Sequence, residues 1–133
     1  KKYNNADYIK LIKSDMFSSS ECEQYKNEDN RFDVIVSNPP YIPKKDIETL
    51  HTQVKDYEPY NALEGGEDGL DFYRKITKES KAFLKNKGIL AYEVGHDQAQ
   101  DVSQIMQENG FEGIYTKCDL QGFERVVIGF YNN

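Results

Sequence analysis

The apolar positions along the chain follow two spacings, and the switching between them predicts its elements. Residues 8–12, Tyr8-Ile9-Lys10-Leu11-Ile12, read as a short strand closed by Lys13-Ser14-Asp15. Residues 18–31 are polar and weakly periodic, which predicts a loop with one helical turn. Phe32-Asp33-Val34-Ile35-Val36-Ser37 is a stronger strand signal, β-branched at Val34, Ile35 and Val36. Its near-continuous apolarity suits a central parallel strand covered on both faces. From Gly69 the spacing becomes helical: Leu70, Tyr73, Ile76, Phe83 and Leu84 fall on one side, Asp68 is placed to cap, and Lys85, Lys87 and Gly88 to close. Residues 89–94 then form a buried strand. Asp97 opens a second helix with Ala99, Val102, Ile105 and Met106 inward and Gly110 as its stop. Residues 111–118 and 125–131 are two last strands joined by a short link.

Strands alternating with helices imply an α/β sheet with parallel crossovers, and the short final link requires an antiparallel pair. Residues 42–68 form a long connection containing Pro43, Pro59 and Gly65-Gly66, with a short helix expected near 45–50. Connections of that length in a compact domain usually serve as lids or binding surfaces.

Length permits one domain with a modest core: the chain has 133 residues. A net charge of −6 argues against general affinity for nucleic-acid backbones, which need a basic face. Cys22 and Cys118 have no metal-ligand spacing and read as reduced thiols. His51 and His96 stand alone, so no metal site is expected. No apolar run approaches the roughly 20 residues of a membrane helix, and no hydrophobic signal segment follows Lys1-Lys2-Tyr3-Asn4-Asn5. A cytoplasmic protein without membrane contact is expected.

The chemistry is concentrated in Asn38-Pro39-Pro40-Tyr41, directly behind the strongest strand. A strand ending in an amide and two prolines sets an Asn side chain and proline carbonyls at the carboxyl edge of the sheet, where open α/β folds bind ligands. Amide nitrogen is a weak nucleophile because its lone pair is delocalised. Asn38 Oδ1 and the Pro39 carbonyl are suited to accept both N–H bonds of a planar NH2 group and hold it for attack on a methyl donor. The prolines limit reorganisation, Tyr41 packs against the flat group, and positioning does most of the work. An ordinary Asn-Pro turn would also produce this tetrapeptide. Gly65-Gly66-Glu67-Asp68-Gly69 follows a loop instead of a strand, so it is no nucleotide fingerprint. Glu64, Glu67, Asp68 and Asp71 form an acidic cluster that either receives a basic partner surface or is a solvated loop before a helix. Glu93 ends a strand near the site and reads as structural. Tyr57, Tyr60, Phe72 and Tyr73 read mainly as packing residues.

Taken together, Asn38 to Pro43, Asp56-Tyr57-Glu58-Pro59, Ala62 through Arg74, Lys87 through Gly95, Gly110-Phe111 and Asp119 through Val127 resemble the protein-(glutamine-N5) methyltransferases. These HemK-like enzymes modify a glutamine in peptide-chain release factors. The resemblance covers essentially the whole chain. It implies the C-terminal portion of a class I, Rossmann-like, S-adenosylmethionine-dependent methyltransferase sheet, with parallel strands and a terminal antiparallel pair. It assigns Asn38, Pro39 and Tyr41 to catalysis and Asn38, Pro39, Pro40 and Tyr41 to substrate binding. It also places Asn38 beside the methionine part of the cofactor, and Asp15 and Met16 beside the adenine. An Asp at the end of a strand is otherwise an ordinary cap. The release factor is the implied partner, with no direct nucleic-acid contact.

The family's glycine-rich cofactor loop, its ribose-binding acid and its helical N-terminal domain have no counterpart in residues 1–133, which therefore read as a partial catalytic domain, inactive alone. In the complete family sheet two further strands separate the 8–12 strand from Phe32–Ser37. Their absence exposes an apolar edge, which predicts either a homodimer or a first strand that moves to cover Val34 and Val36. The tetrapeptide also occurs in adenine-N6 methyltransferases, and a non-catalytic partner-binding module is the reading from a different class.

Overall fold

The computed structural model describes residues 8–43 and 65–132. Four strands form one mixed sheet in the order β1-β2-β4-β3: β1 is Phe32–Ser37, β2 Leu84–Glu93, β3 Phe111–Cys118 and β4 Glu124–Tyr131. β1 and β2 are parallel, whereas β2 with β4 and β4 with β3 are antiparallel. Helix α1, Asp71–Ser80, makes the crossover from β1 to β2, and α2, Ala99–Glu108, connects β2 to β3. This is the expected α/β pattern with its terminal antiparallel pair.

Both helices cover one face of the sheet. Register explains which residues they meet. Ile35 pairs with Leu90, Leu90 with Gly129, and Tyr92 with Val127, so these side chains share a face. Against them α1 places Tyr73, Ile76 and Thr77, and α2 places Ala99, Val102, Ile105 and Met106, all buried. The ring of Tyr73 meets that of Tyr92 edge-on, with centroids 5.0 Å apart. Gly129 leaves room for the Met106 methyl, which would stand 2.6 Å from a Cβ there. Buried hydroxyls in this layer are paired: Tyr92 Oη and Thr77 Oγ1 lie 2.7 Å apart, and Tyr73 Oη donates to the Glu93 carbonyl at 2.8 Å. Burial pushes both phenol pKa values up, so each hydroxyl keeps its proton at neutral pH.

On the opposite face, no helix covers the sheet among the described residues. Val34 and Val36 are 48% and 75% exposed there. β1 is thus an edge strand in this sheet, not the central strand its composition suggested. The first segment does not compensate. Residues 8–12 form no strand, and Leu11 is 90% exposed. Apolar alternation gives strand structure only when a neighbour accepts the backbone hydrogen bonds, and among the described residues that segment has none. The expectation that it moves to cover Val34 and Val36 is therefore incorrect.

Two boundaries also differ from expectation. α1 stops at Ser80, and Phe83 and Leu84 belong to the approach and start of β2. The Phe83 carbonyl accepts the Phe32 N–H at 2.8 Å, so strand pairing takes these residues before the helix can continue. Lys85, Lys87 and Gly88 therefore close no helix; they lie in an irregular stretch of β2, with Lys87 at φ 68°. Residues 18–31 contain two short 3-10 helices, Ser20–Lys26 and Glu28–Asn30. The helix expected near 45–50 lies outside the described residues.

Candidate active site

Three loops meet at the carboxyl ends of β1 and β2. β1 runs straight into Asn38-Pro39-Pro40-Tyr41, with Ser37 still in register with Tyr92. Pro39 is buried, Pro40 and Tyr41 are half-buried, and Asn38 is exposed. Residues 65–70 enter α1, and Val94 to Gln98 enter α2. The Gly65 N–H donates to the Ile42 carbonyl at 2.8 Å, and the Gly65 carbonyl accepts the Asp71 N–H at 3.1 Å. The tetrapeptide and the glycine loop are therefore joined through backbone.

Close approach explains the glycines. A Cβ on Gly65 would stand 2.6 Å from the Pro40 carbonyl oxygen, and one on Gly69 only 2.2 Å from that of Tyr41. Gly69 also holds φ at 79°, a conformation side chains disfavour. The sequence excluded a nucleotide fingerprint here. The loop has a different task, which is to lie flat against the tetrapeptide.

Gln98, which the sequence reading passed over, holds the three loops together. It is buried, and its Oε1 accepts the Gly95 N–H at 2.9 Å. Its Nε2 donates to the Tyr41 carbonyl at 2.8 Å and to the Gly69 carbonyl at 3.4 Å. A glutamine between Asp97 and Ala99 carries no motif signal, and its partners are distant in sequence. Asp97 was the expected helix cap, but Gln98 occupies that position and spends its side chain on the loops.

Around this junction is a cleft of about 300 Å³, lined by Tyr41, Ile42, Asp68, His96, Asp97 and Asp101. His96 meets Phe123 of the β3–β4 turn edge-on, with ring centroids 5.7 Å apart. Asp68 accepts the Leu70 N–H at 3.0 Å and also pairs with Arg74, which in turn reaches Asp71. The Arg74 hydrogen bond is the main reason the Asp68 carboxyl lies below its ordinary pKa, outweighing an opposing effect of burial. Part of the acidic cluster is thereby neutralised at the start of α1. Glu93 is exposed and contributes its carbonyl to Tyr73. Tyr73 and Phe72 are packing residues, as expected. His51, Tyr57, Glu58, Tyr60 and Glu64 lie outside the described residues. Among the described residues no group of three or more His, Cys, Asp or Glu is arranged to hold a metal ion.

Phe17, next to Met16, stacks on Phe83 with centroids 4.6 Å apart, and Phe83 lies at the start of β2. Met16 and Phe17 share an apolar groove with Phe32, the first residue of β1. Met16 thus lies by the amino end of β1, while Asn38, also expected at the cofactor, follows its carboxyl end.

A family model described as Eco57I restriction-modification methylase matches residues 1–112. The release factor glutamine methyltransferase of Clostridium acetobutylicum is 46% identical over 125 residues, which is 94% of this chain and 42% of that protein. Its namesake from Clostridium botulinum is 46% identical over 95% of this chain and 43% of its own length. The chain therefore spans about two-fifths of these relatives. The crystal structure of a release-factor-specific protein-(glutamine-N5) methyltransferase from Alicyclobacillus acidocaldarius matches with TM-score 0.52 at 27% identity, covering 83% of this chain and 55% of that one. A methyltransferase from Pyrococcus furiosus, 18% identical with TM-score 0.52, shares the fold over 77% of this chain and 42% of that one. The chain belongs to the methyltransferase family that the Eco57I model describes, and its curated relatives carry the name release factor glutamine methyltransferase.

Proposed function

We propose that this chain carries the acceptor side of methyl transfer to the side-chain amide nitrogen of a glutamine in a peptide-chain release factor. S-adenosylmethionine is the methyl donor in this reading, and the reaction belongs to a longer cytoplasmic protein. The observation that carries it is the clamped Asn38–Tyr41 corner at the carboxyl end of a parallel strand pair, in a chain 46% identical to release factor glutamine methyltransferases. Asn38 Oδ1 and the Pro39 carbonyl accept the two N–H bonds of the substrate amide, which aligns its π-lobe with the incoming methyl carbon. Bound S-adenosylmethionine would supply the methyl carbon: the C–N bond would form as the methyl C–S bond breaks, and the electron pair would stay on the departing sulfur of S-adenosylhomocysteine. The nitrogen would release one proton to solvent, with alignment providing most of the rate gain. Pro40 and Tyr41 complete the amide pocket. Among the described residues one edge of β1 is unpaired, and that edge is suited to pair with a second copy.

The Eco57I description favours a second reading, transfer to an exocyclic amine of DNA. A net charge of −6 opposes it, because the nucleic-acid backbone favours a basic partner. Labelled methyl incorporation by the full-length protein separates the two readings. Label is expected on a release factor and absent when its acceptor glutamine is replaced by alanine. Label on adenine-containing DNA, with none on the release factor, would overturn the proposal.

A further inference from the structure

We propose that Gln98 is a positioning residue for methyl transfer, acting as the removable clamp on the amide-holding corner; this rests on the function proposed above. The Asn38–Tyr41 segment is anchored twice. Upstream, Ser37 is fixed by its pairing with Tyr92. Downstream, the Tyr41 carbonyl accepts from Gln98 Nε2 at 2.8 Å. Between these anchors lie Asn38, Pro39 and Pro40, and both prolines have restricted φ. Little freedom remains while both anchors hold.

The surroundings are shaped around a carboxamide. Oε1 faces the Gly95 N–H, a donor, and Nε2 faces two carbonyls, both acceptors. A side chain here must accept on one branch and donate on the other. Methionine has the length and neither function. Glutamate accepts from Gly95 but sets its second oxygen against the Tyr41 and Gly69 carbonyls unless it is protonated. The flanking residues admit this group and little else: a Cβ on Gly95 would stand 2.9 Å from Gln98 Oε1, and one on Gly69 2.9 Å from Nε2. Gln98 does not line up with the reacting atoms; it acts through Tyr41.

The test uses the full-length protein with Gln98→Met and Gln98→Glu. Gln98→Met is expected to lower kcat about 10- to 100-fold, the usual consequence of a misplacement near 1 Å, with little change in KM for the methyl donor. Gln98→Glu is expected to recover activity as pH falls and its carboxyl gains the missing proton. No such rise is expected of the wild type. Amide hydrogen exchange at Gly65, whose N–H bonds the Ile42 carbonyl, should quicken in Gln98→Met while the core amides of α2 stay protected. Unchanged kcat and unchanged Gly65 exchange in Gln98→Met would overturn the clamp. So would a Gln98→Glu profile that simply parallels the wild type. If the wild type transfers no methyl group to a release factor, the proposed function fails, and the exchange measurement alone then decides whether Gln98 orders the corner.

Discussion

The two ends of β1 are built on different principles. At its carboxyl end the backbone is held by directional hydrogen bonds: Gln98 to Tyr41, Gln98 to Gly69, and Gly65 to Ile42. Packing there is so close that side chains are excluded at Gly65 and Gly69. At its amino end the Phe32 N–H still pairs with the Phe83 carbonyl, but the segment before β1 is held to the sheet by aromatic contact, Phe17 on Phe83 and Tyr25 on Phe32, and Ile9 and Leu11 face solvent. Hydrogen bonds to fixed carbonyls define positions to a fraction of an ångström, whereas ring stacking fixes proximity and tolerates sliding. The precise end is the one that carries Asn38.

That contrast breaks most sharply at Gly69. Gly69→Val adds a Cβ 2.2 Å from the Tyr41 carbonyl at a φ of 79°, so either the glycine loop or the tetrapeptide must move. The expected loss is about 3 kcal/mol or more in denaturant unfolding. Gly122→Ala is the control, since its φ is 90° with nothing within 4 Å, and it should cost only about 1–2 kcal/mol of backbone strain. Equal losses at the two sites would mean that the close approach contributes nothing.

Phe17→Ala probes the other end. Phe17 is half-buried against Phe83, so a loss of about 1–3 kcal/mol is expected, with the Gly65 and Gly95 amides exchanging as before. Faster exchange at those glycines would show that the two ends are coupled.

A smaller effect is expected at Asp68. Its folded pKa lies below the ordinary 3.8, held there first by the Arg74 hydrogen bond. The stabilisation is therefore fully present above that ordinary value, and it fades as pH falls through the lower folded value. Because the pair is about half exposed, Asp68→Asn should cost only about 0.2–1 kcal/mol at neutral pH. In strong acid the variant and wild type should converge. A difference that grows on acidification would contradict the assigned sign. Least of all should follow from Leu11→Ser, at a side chain 90% exposed: a change within about 0.5 kcal/mol by the same unfolding measurement.

What the sequence makes legible follows the same division. α2 was readable down to its inward residues, because Ala99, Val102, Ile105 and Met106 carry an unbroken helical spacing and Gly110 ends it. β3 and β4 were readable because a short polar link between two apolar runs leaves only antiparallel pairing. The end of α1 was not. Phe83 and Leu84 fit the helical spacing by coincidence, and their capture by β1 depends on Phe32, far upstream in the chain. The segment at 8–12 misled for the opposite reason: it has strand composition but no described neighbour. At the site, Asn38-Pro39-Pro40-Tyr41 announces itself, and Gln98 does not. A buried glutamine and a surface glutamine look identical until the fold brings the Tyr41 and Gly69 carbonyls to it. Asp15 and Met16 were assigned to the adenine, and Asn38 to the methionine part of the cofactor, by resemblance alone; Met16 shares its groove with Phe32, the first residue of β1.

The central claim is that the Asn38 carboxamide, exposed at the end of β1 and outside the packed core, engages the substrate amide and not the fold. Transfer of labelled methyl groups to a release factor by full-length Asn38→Ala, with thermal unfolding followed alongside, tests it most directly. The account predicts an unchanged unfolding midpoint with transfer reduced at least about 100-fold. Transfer at the wild-type rate, or a loss of transfer fully matched by loss of folded protein, would contradict it.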